Sequence, residues 1–259
     1  MKIYWLEQTT ADLPTGNQWL SPPEAARLGG LRIPKRRADW RLGRWTAKHA
    51  VAARLNLSIG LAALANIEIR AASSGAPEVF LGGDPANAAI SLSHSAGTAL
   101  CTVSSSGITL GCDLETIEPR SDAFVADYFT PEEQALVAQT SAQDQPLLLT
   151  LLWSAKESAL KALRVGLRLD TRCMQIIPDL SANPDTWRAL TIRYEGITEF
   201  AGWWRSQNHL VRTVVSEIRT EVPTGLRRDA SNISTLELCS LSGSNVPAPV
   251  ADCFPEPWW

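Results

Sequence analysis

Two carboxylates stand two residues apart in the run Leu110-Gly111-Cys112-Asp113-Leu114-Glu115. Alternate residues of a β-strand share a face, so Asp113 and Glu115 project together while Cys112 and Leu114 point the other way. Such a pair repels itself unless a cation or basic group lies between, which suits a hard metal such as Mg²⁺ with its oxygen ligands. A solvated strand end has the same spacing, and spacing alone favours that plainer reading. A second segment shifts the balance. In Trp153-Ser154-Ala155-Lys156-Glu157-Ser158-Ala159-Leu160-Lys161, residues Trp153, Glu157 and Lys161 follow at i, i+4 steps along one helical row. Glu157 and Lys161 could form an ordinary surface ion pair. A third carboxylate beside a lysine is also what a metal-bound pyrophosphate needs, the metal bridging oxygens and the lysine neutralising the phosphate that leaves.

Arg37, Arg41, Arg44 and Lys48 fall at steps of four, three and four, a basic row whose self-repulsion an anion would relieve. A solvated helix face is the equal alternative. The planar guanidinium suits phosphate oxygens, and no aromatic interleaving points to nucleic acid. Ser91-Leu92-Ser93-His94-Ser95 holds one of three histidines. With no G-x-S-x-G, a Ser-His hydrolase is disfavoured. A structural histidine in a turn is the usual case, and a phosphate contact flanked by hydroxyls the other.

These residues need elements to position them. Residues 2–6 read as an opening strand, Ser21-Pro22-Pro23-Glu24 as a helix start, and 35–55 as a long helix with an apolar row of Trp40, Gly43, Ala47, Ala50, Val51 and Leu55. Residues 71–85 read as loop around a short strand at 78–81. Thr98–Ser104 and Ile108–Glu115, joined by Ser105-Ser106-Gly107, predict a hairpin. Thr130-Pro131-Glu132-Glu133 caps a helix, and another runs from Pro146 to Val165 before Gly166. Short strands follow at 192–194, 199–203 and 210–218, and from Thr220 the chain reads as an irregular tail in which Trp258-Trp259 could dock. No internal repeat stands out.

The 259 residues are 45% hydrophobic and 20% charged, with net charge −3, which describes a globular protein and excludes collagen-like, wholly disordered and globally basic classes. No apolar run reaches the roughly 20 residues of a membrane span, and the N-terminus lacks a secretory pattern. Five cysteines without a C-x-x-C pair argue against a disulfide framework or zinc site and for a reducing, cytoplasmic setting.

In this order the segments resemble the Sfp-type 4′-phosphopantetheinyl transferases, with their R…GR…K helix, S-x-SHS segment, G-x-D-x-E strand and W-x-x-KE-x-x-x-K helix. Phe129-Thr130-Pro131-Glu132-Glu133 resembles that family's F-[ST]-x-x-E segment. The resemblance spans about Met1 to Ile218. It implies an α+β fold of two similar halves with pseudo-twofold symmetry and the active site between them: residues 1–104 contacting coenzyme A, 105–219 carrying the metal site, and 220–259 a tail without counterpart. It implies a monomeric enzyme that moves phosphopantetheine from its co-substrate coenzyme A to a serine of an acyl or peptidyl carrier protein, releasing adenosine 3′,5′-bisphosphate. By matching position, Asp113, Glu115 and Glu157 would hold Mg²⁺, and Glu157 would take the serine proton. Lys161 would assist the leaving phosphate. Arg37, Arg44, Lys48, Ser93 and His94 would contact coenzyme A phosphates, as would Lys161. The family often has G-[KR]-P where this chain reads Gly75-Ala76-Pro77, which removes a charge from the nucleotide end. A metal-dependent phosphoester hydrolase and a non-catalytic carrier-binding module are the alternatives. No nucleic acid and no membrane are expected as partners.

Overall fold

A computed structural model describes residues 1–181, 185–195 and 198–226. The expected tail beyond residue 226, with Trp258-Trp259, lies outside the described residues. The chain runs β1 (Tyr4–Thr9), α1 (Pro22–Gly30), α2 (Pro34–Leu55), α3 (Leu61–Ala65), β2 (Ile67–Ala71), β3 (Pro77–Leu81), β4 (Asp84–Ser95), β5 (Thr98–Ser104) and β6 (Leu110–Thr116). It continues with α4 (Asp122–Tyr128), α5 (Pro131–Gln139), α6 (Gln145–Leu163), β7 (Met174–Pro178), β8 (Arg188–Tyr194), β9 (Thr198–Gln207), β10 (Leu210–Ser216) and β11 (Thr224–Gly225). The fold is α+β, with strands in a six-stranded sheet, β11-β1-β5-β4-β3-β2, and a five-stranded sheet, β6-β10-β9-β8-β7. Among the described residues no helix is long and apolar enough to cross a membrane.

The period-two alternation of the strands sorts side chains into three cores. On the first sheet Leu6, Cys101 and Val103 face α2, packing with Ala47, Ala50 and Val51 of its predicted apolar row. On the second sheet Val211 and Val215 face α6 and pack with Leu151, Leu152 and Ala155. Between the sheets lie Ile3 and Leu100 from one and Cys112, Leu114, Leu210 and Val214 from the other. Arg212 of β10 closes that interface with a bidentate ion pair to Glu7 of β1. Cys112 and Leu114 thus face inward while Asp113 and Glu115 face the other way, as the alternation predicts.

The predicted hairpin at 98–115 does not form. β5 pairs with β1 on one side and β4 on the other, which leaves it no free edge. The Ser105–Gly107 link instead carries the chain across to the second sheet, where β6 pairs with β10. The hairpin that does form joins β4 to β5 through Ala96 and Gly97, both at positive φ (48° and 72°). β4 itself escaped the pattern reading, because its small and polar residues give neither bulk nor clean alternation. It places Ser91–Ser95 in a strand rather than a turn. The segment after Thr220 is also not wholly irregular, since Thr224 and Gly225 add to β1 as a parallel strand.

The two layers of helix and sheet are anchored by the same wiring. Ser21 and Glu24 form a capping box at the start of α1, as Thr130 and Glu133 do at α5. In each case the other carboxylate oxygen accepts a strand N–H: Ile69 to Glu24 at 3.0 Å, Ile176 to Glu133 at 2.8 Å. A fully buried lysine then pairs with the carboxylate. Lys48 donates to Glu24 and to the carbonyls of Trp19 and Leu64, and Lys156 to Glu133 and the carbonyls of Thr171 and Met174.

Gly111 lets α6 rest directly on β6. A Cβ there would sit 1.8 Å from the Ser158 carbonyl oxygen and 2.8 Å from the Ala162 nitrogen. Gly111→Ala therefore has to push the helix off the strand, and urea unfolding should show a loss of about 1–3 kcal/mol.

Candidate active site

The ends of β4, β6, α2 and α6 border one cleft of about 450 Å³. β6 contributes Asp113 and Glu115, α6 contributes Trp153, Glu157 and Lys161 from its i, i+4 row, and β4 contributes Ser93, His94 and Ser95. Lys35 and Asp39, an ion pair at 3.4 Å on the first turns of α2, close the remaining wall. Neither had been singled out in the sequence, because i, i+4 pairs of this kind are common on exposed helices.

Asp113 is the hub. It is 3% exposed, and its Oδ1 accepts from Lys161 Nζ and from Ser93 Oγ, each at 2.8 Å. Its Oδ2 is buried and has no hydrogen-bond partner among the described residues. The ammonium of Lys161 also donates to the Cys112 carbonyl at 3.1 Å. Lys161 therefore pairs across to Asp113, not along its own helix with Glu157. Burial opposes its charge, but Asp113 and Glu157 outweigh burial and raise its pKa.

The other two carboxylates are strained by their surroundings. Burial and then Asp113 push Glu157 up to about 7. Burial and Asp113 likewise push Glu115 up to about 8, against the pull of Arg120, whose Nη2 lies 3.5 Å from it. His94 is depressed, by burial first, with Asp39 acting in the opposite sense. With Lys35 paired to Asp39, Lys161 and the partly engaged Arg120 are left to face Asp113, Glu115 and Glu157, so this part of the cleft is short of positive charge. Among the described residues no three His, Cys, Asp or Glu side chains converge as a ready-made metal cage. The donor set fits a hard cation held by one or two carboxylates, with the orphaned Asp113 Oδ2 as its open acceptor.

A stability trend follows. Glu115 and Glu157 hold protons more tightly in the folded than in the unfolded chain, so between about pH 5 and 8 the folded state binds more protons and stability falls as pH rises. Melting temperatures recorded in chelator should drop across that window, and the drop should shrink in Glu157→Gln.

The basic row of α2 is not a solvent-facing strip. Arg37 donates to the carbonyls of Leu28 and Leu31, and Arg41 to those of Pro14, Thr15 and Gly16. Lys48, expected as a coenzyme A phosphate contact, is fully buried in its clamp with Glu24 and lines neither this cleft nor the cavity beside Arg44. None of Arg37, Arg44 and Lys48 lines the cleft. Arg44 borders a second cavity of about 420 Å³ with Arg27, Trp40 and Arg70. There its guanidinium stacks 5.0 Å from the Trp40 ring and lies 4.0 Å from Glu24, and its Nε makes no hydrogen bond. Burial lowers its pKa to about 10. Arg27 and Arg70 were missed because they come from α1 and β2, and no sequence spacing links them to α2.

Residues 109–219, from the approach to β6 through the end of β10, match the family model of the 4′-phosphopantetheinyl transferase superfamily. No curated protein matches the chain.

Proposed function

We propose that this protein, whose residues 109–219 match the family model of the 4′-phosphopantetheinyl transferase superfamily, transfers phosphopantetheine from coenzyme A to a serine of an apo acyl or peptidyl carrier protein, with Mg²⁺ as cofactor. The observation that carries this reading is the charge imbalance of the cleft: Asp113, Glu115 and Glu157 face one another with Lys161 as the main cation. A Mg²⁺ ion held on Asp113 Oδ2, with Glu115 and Glu157 beside it, would offset the repulsion and neutralise the pyrophosphate of coenzyme A.

The chain's own groups supply the rest. Glu157, whose pKa burial and Asp113 raise in the metal-free protein, would accept the carrier serine's proton, directly or through water. An ammonium has three donors, and Asp113 and the Cys112 carbonyl use two of those on Lys161. The third remains for a phosphate oxygen, where charge builds as the adenosine bisphosphate departs. Trp153 walls the cleft and makes edge contacts with Phe124 and Tyr128 of α4.

The second cavity suits the nucleotide end. Asp39 of α2 lines the first cavity and its neighbour Trp40 lines the second. Arg27 and Arg44 offer guanidinium groups to phosphate beside Arg70, whose Nε and Nη2 already hold Glu68, and they supply charge that Ala76, 4% exposed, cannot. Both walls of the cleft come from one chain, in keeping with a monomer, and the free Cys101, Cys112 and Cys173 suit a reducing, cytoplasmic setting.

The test incubates the protein with Mg²⁺, coenzyme A and apo-carrier proteins of fatty-acid, polyketide and peptide type. Intact mass should show a phosphopantetheine adduct that requires the metal. Absence of the adduct on every carrier, with no coenzyme A binding by calorimetry, overturns the reading. Adenosine bisphosphate released without an adduct would instead identify a hydrolase.

A further inference from the structure

The geometry points to Ser93 as a positioning residue for the cation, acting through Asp113; the inference rests on the metal reading above. Ser91, Ser93 and Ser95 alternate along β4 and all reach toward β6. Ser91 Oγ accepts the Cys112 N–H at 2.9 Å, Ser93 Oγ donates to Asp113 Oδ1 at 2.8 Å, and Ser95 Oγ meets Thr116 Oγ1 at 3.0 Å. The outer two stitch strand to strand. The middle one alone engages a carboxylate of the site.

Its bond shapes what that carboxylate can do. Ser93 and Lys161 both donate to Oδ1, from opposite walls of the cleft, and together they fix the carboxyl plane. Oδ2 is left buried and open, which is costly for a carboxylate oxygen unless something outside the protein takes it. A hydroxyl has one proton to give. Ser93 spends it on Asp113, so it has none for a phosphate oxygen while that bond stands. Its role is therefore to aim Asp113 and not to grip coenzyme A.

The experiment titrates Mg²⁺ alone into the protein by calorimetry, with and without coenzyme A, and separately titrates coenzyme A in chelator. Ser93→Ala should weaken Mg²⁺ binding about tenfold, the usual size of a lost outer-shell partner, and leave metal-free coenzyme A binding unchanged. Ser93→Thr, which keeps the hydroxyl, should restore Mg²⁺ affinity. Ser95→Ala, which removes a stitch of the same seam, should leave it intact. The inference is overturned if Ser93→Ala binds Mg²⁺ as the wild type does, or if Ser95→Ala weakens it equally. It is also overturned if Ser93→Ala weakens coenzyme A without metal, because that is what a direct phosphate contact predicts. Failure of the wild type to bind Mg²⁺ in either state overturns the metal reading itself, and this inference with it.

Discussion

Glu157→Gln is expected to abolish phosphopantetheine transfer while making the ligand-free protein more stable. The carboxyl is held near 7 by burial and by Asp113. Above that value the folded protein carries a buried negative charge against another one. The amide keeps the shape and removes the repulsion, so melting at pH 8 in chelator should move upward. The same change removes the base and one candidate metal contact. Loss of a general base alone costs about 10²–10⁴ in rate, and the combined loss should reach at least about 10³ in kcat/KM. With Mg²⁺ and coenzyme A present the order of stabilities should reverse, because the wild type gains more from ligand it binds better. Carrier mass analysis gives the rate, and paired melts with chelator and with ligands give the stability. A variant that keeps a tenth of the activity would remove Glu157 from the chemistry.

Lys156→Met should be the most damaging single change to the fold. It removes a fully buried ammonium from Glu133, 1% exposed, and from two carbonyls at 2.7 and 2.8 Å. Taking one partner from a buried pair leaves the other charge uncompensated, at about 3–5 kcal/mol. That is a large part of the ~5–15 kcal/mol by which domains are stable. Urea unfolding of Lys156→Met, Glu133→Gln and the double variant checks this. The double variant should recover part of the loss, since no lone buried charge remains. If Lys156→Met unfolds like the wild type, the clamp is not what seats α6.

Much of the site could be read from spacing, because each part of it is local. The Asp113–Glu115 alternation needs only a strand, and the row of Trp153, Glu157 and Lys161 needs only a helix. Both elements form where expected, although α6 stops at Arg164 in the left-handed region (φ 58°), just before the predicted end. What spacing could not reveal is which partner a charged residue meets. Lys48 reads as part of a phosphate-binding row. Its actual acceptors are Glu24 and carbonyls 29 and 16 residues away in the chain. Arg41 is taken up in the same way by carbonyls of the segment before α1. The false hairpin has a related cause. Two strand-like runs joined by Ser-Ser-Gly pair locally unless both edges of one are already occupied, and β5 fills its edges with β1 and β4.

The paired clamps also reveal a division of labour. Counting from the clamp lysine, α6 carries Glu157 one position on and Lys161 five positions on. α2 carries His49 and Ala53 at those positions. His49 stacks on Trp45 at 4.1 Å and hydrogen-bonds its carbonyl, and Ala53 is exposed. Two helices seated by one kind of lock have thus been put to different uses. α6 brings its charges to the cleft, while α2 spends Arg37, Arg41 and Lys48 on holding itself in place and leaves only Lys35 at the cleft wall. Sequence change at 49 and 53 is free of the constraints that bind 157 and 161, whereas change at 48 and 156 is constrained alike.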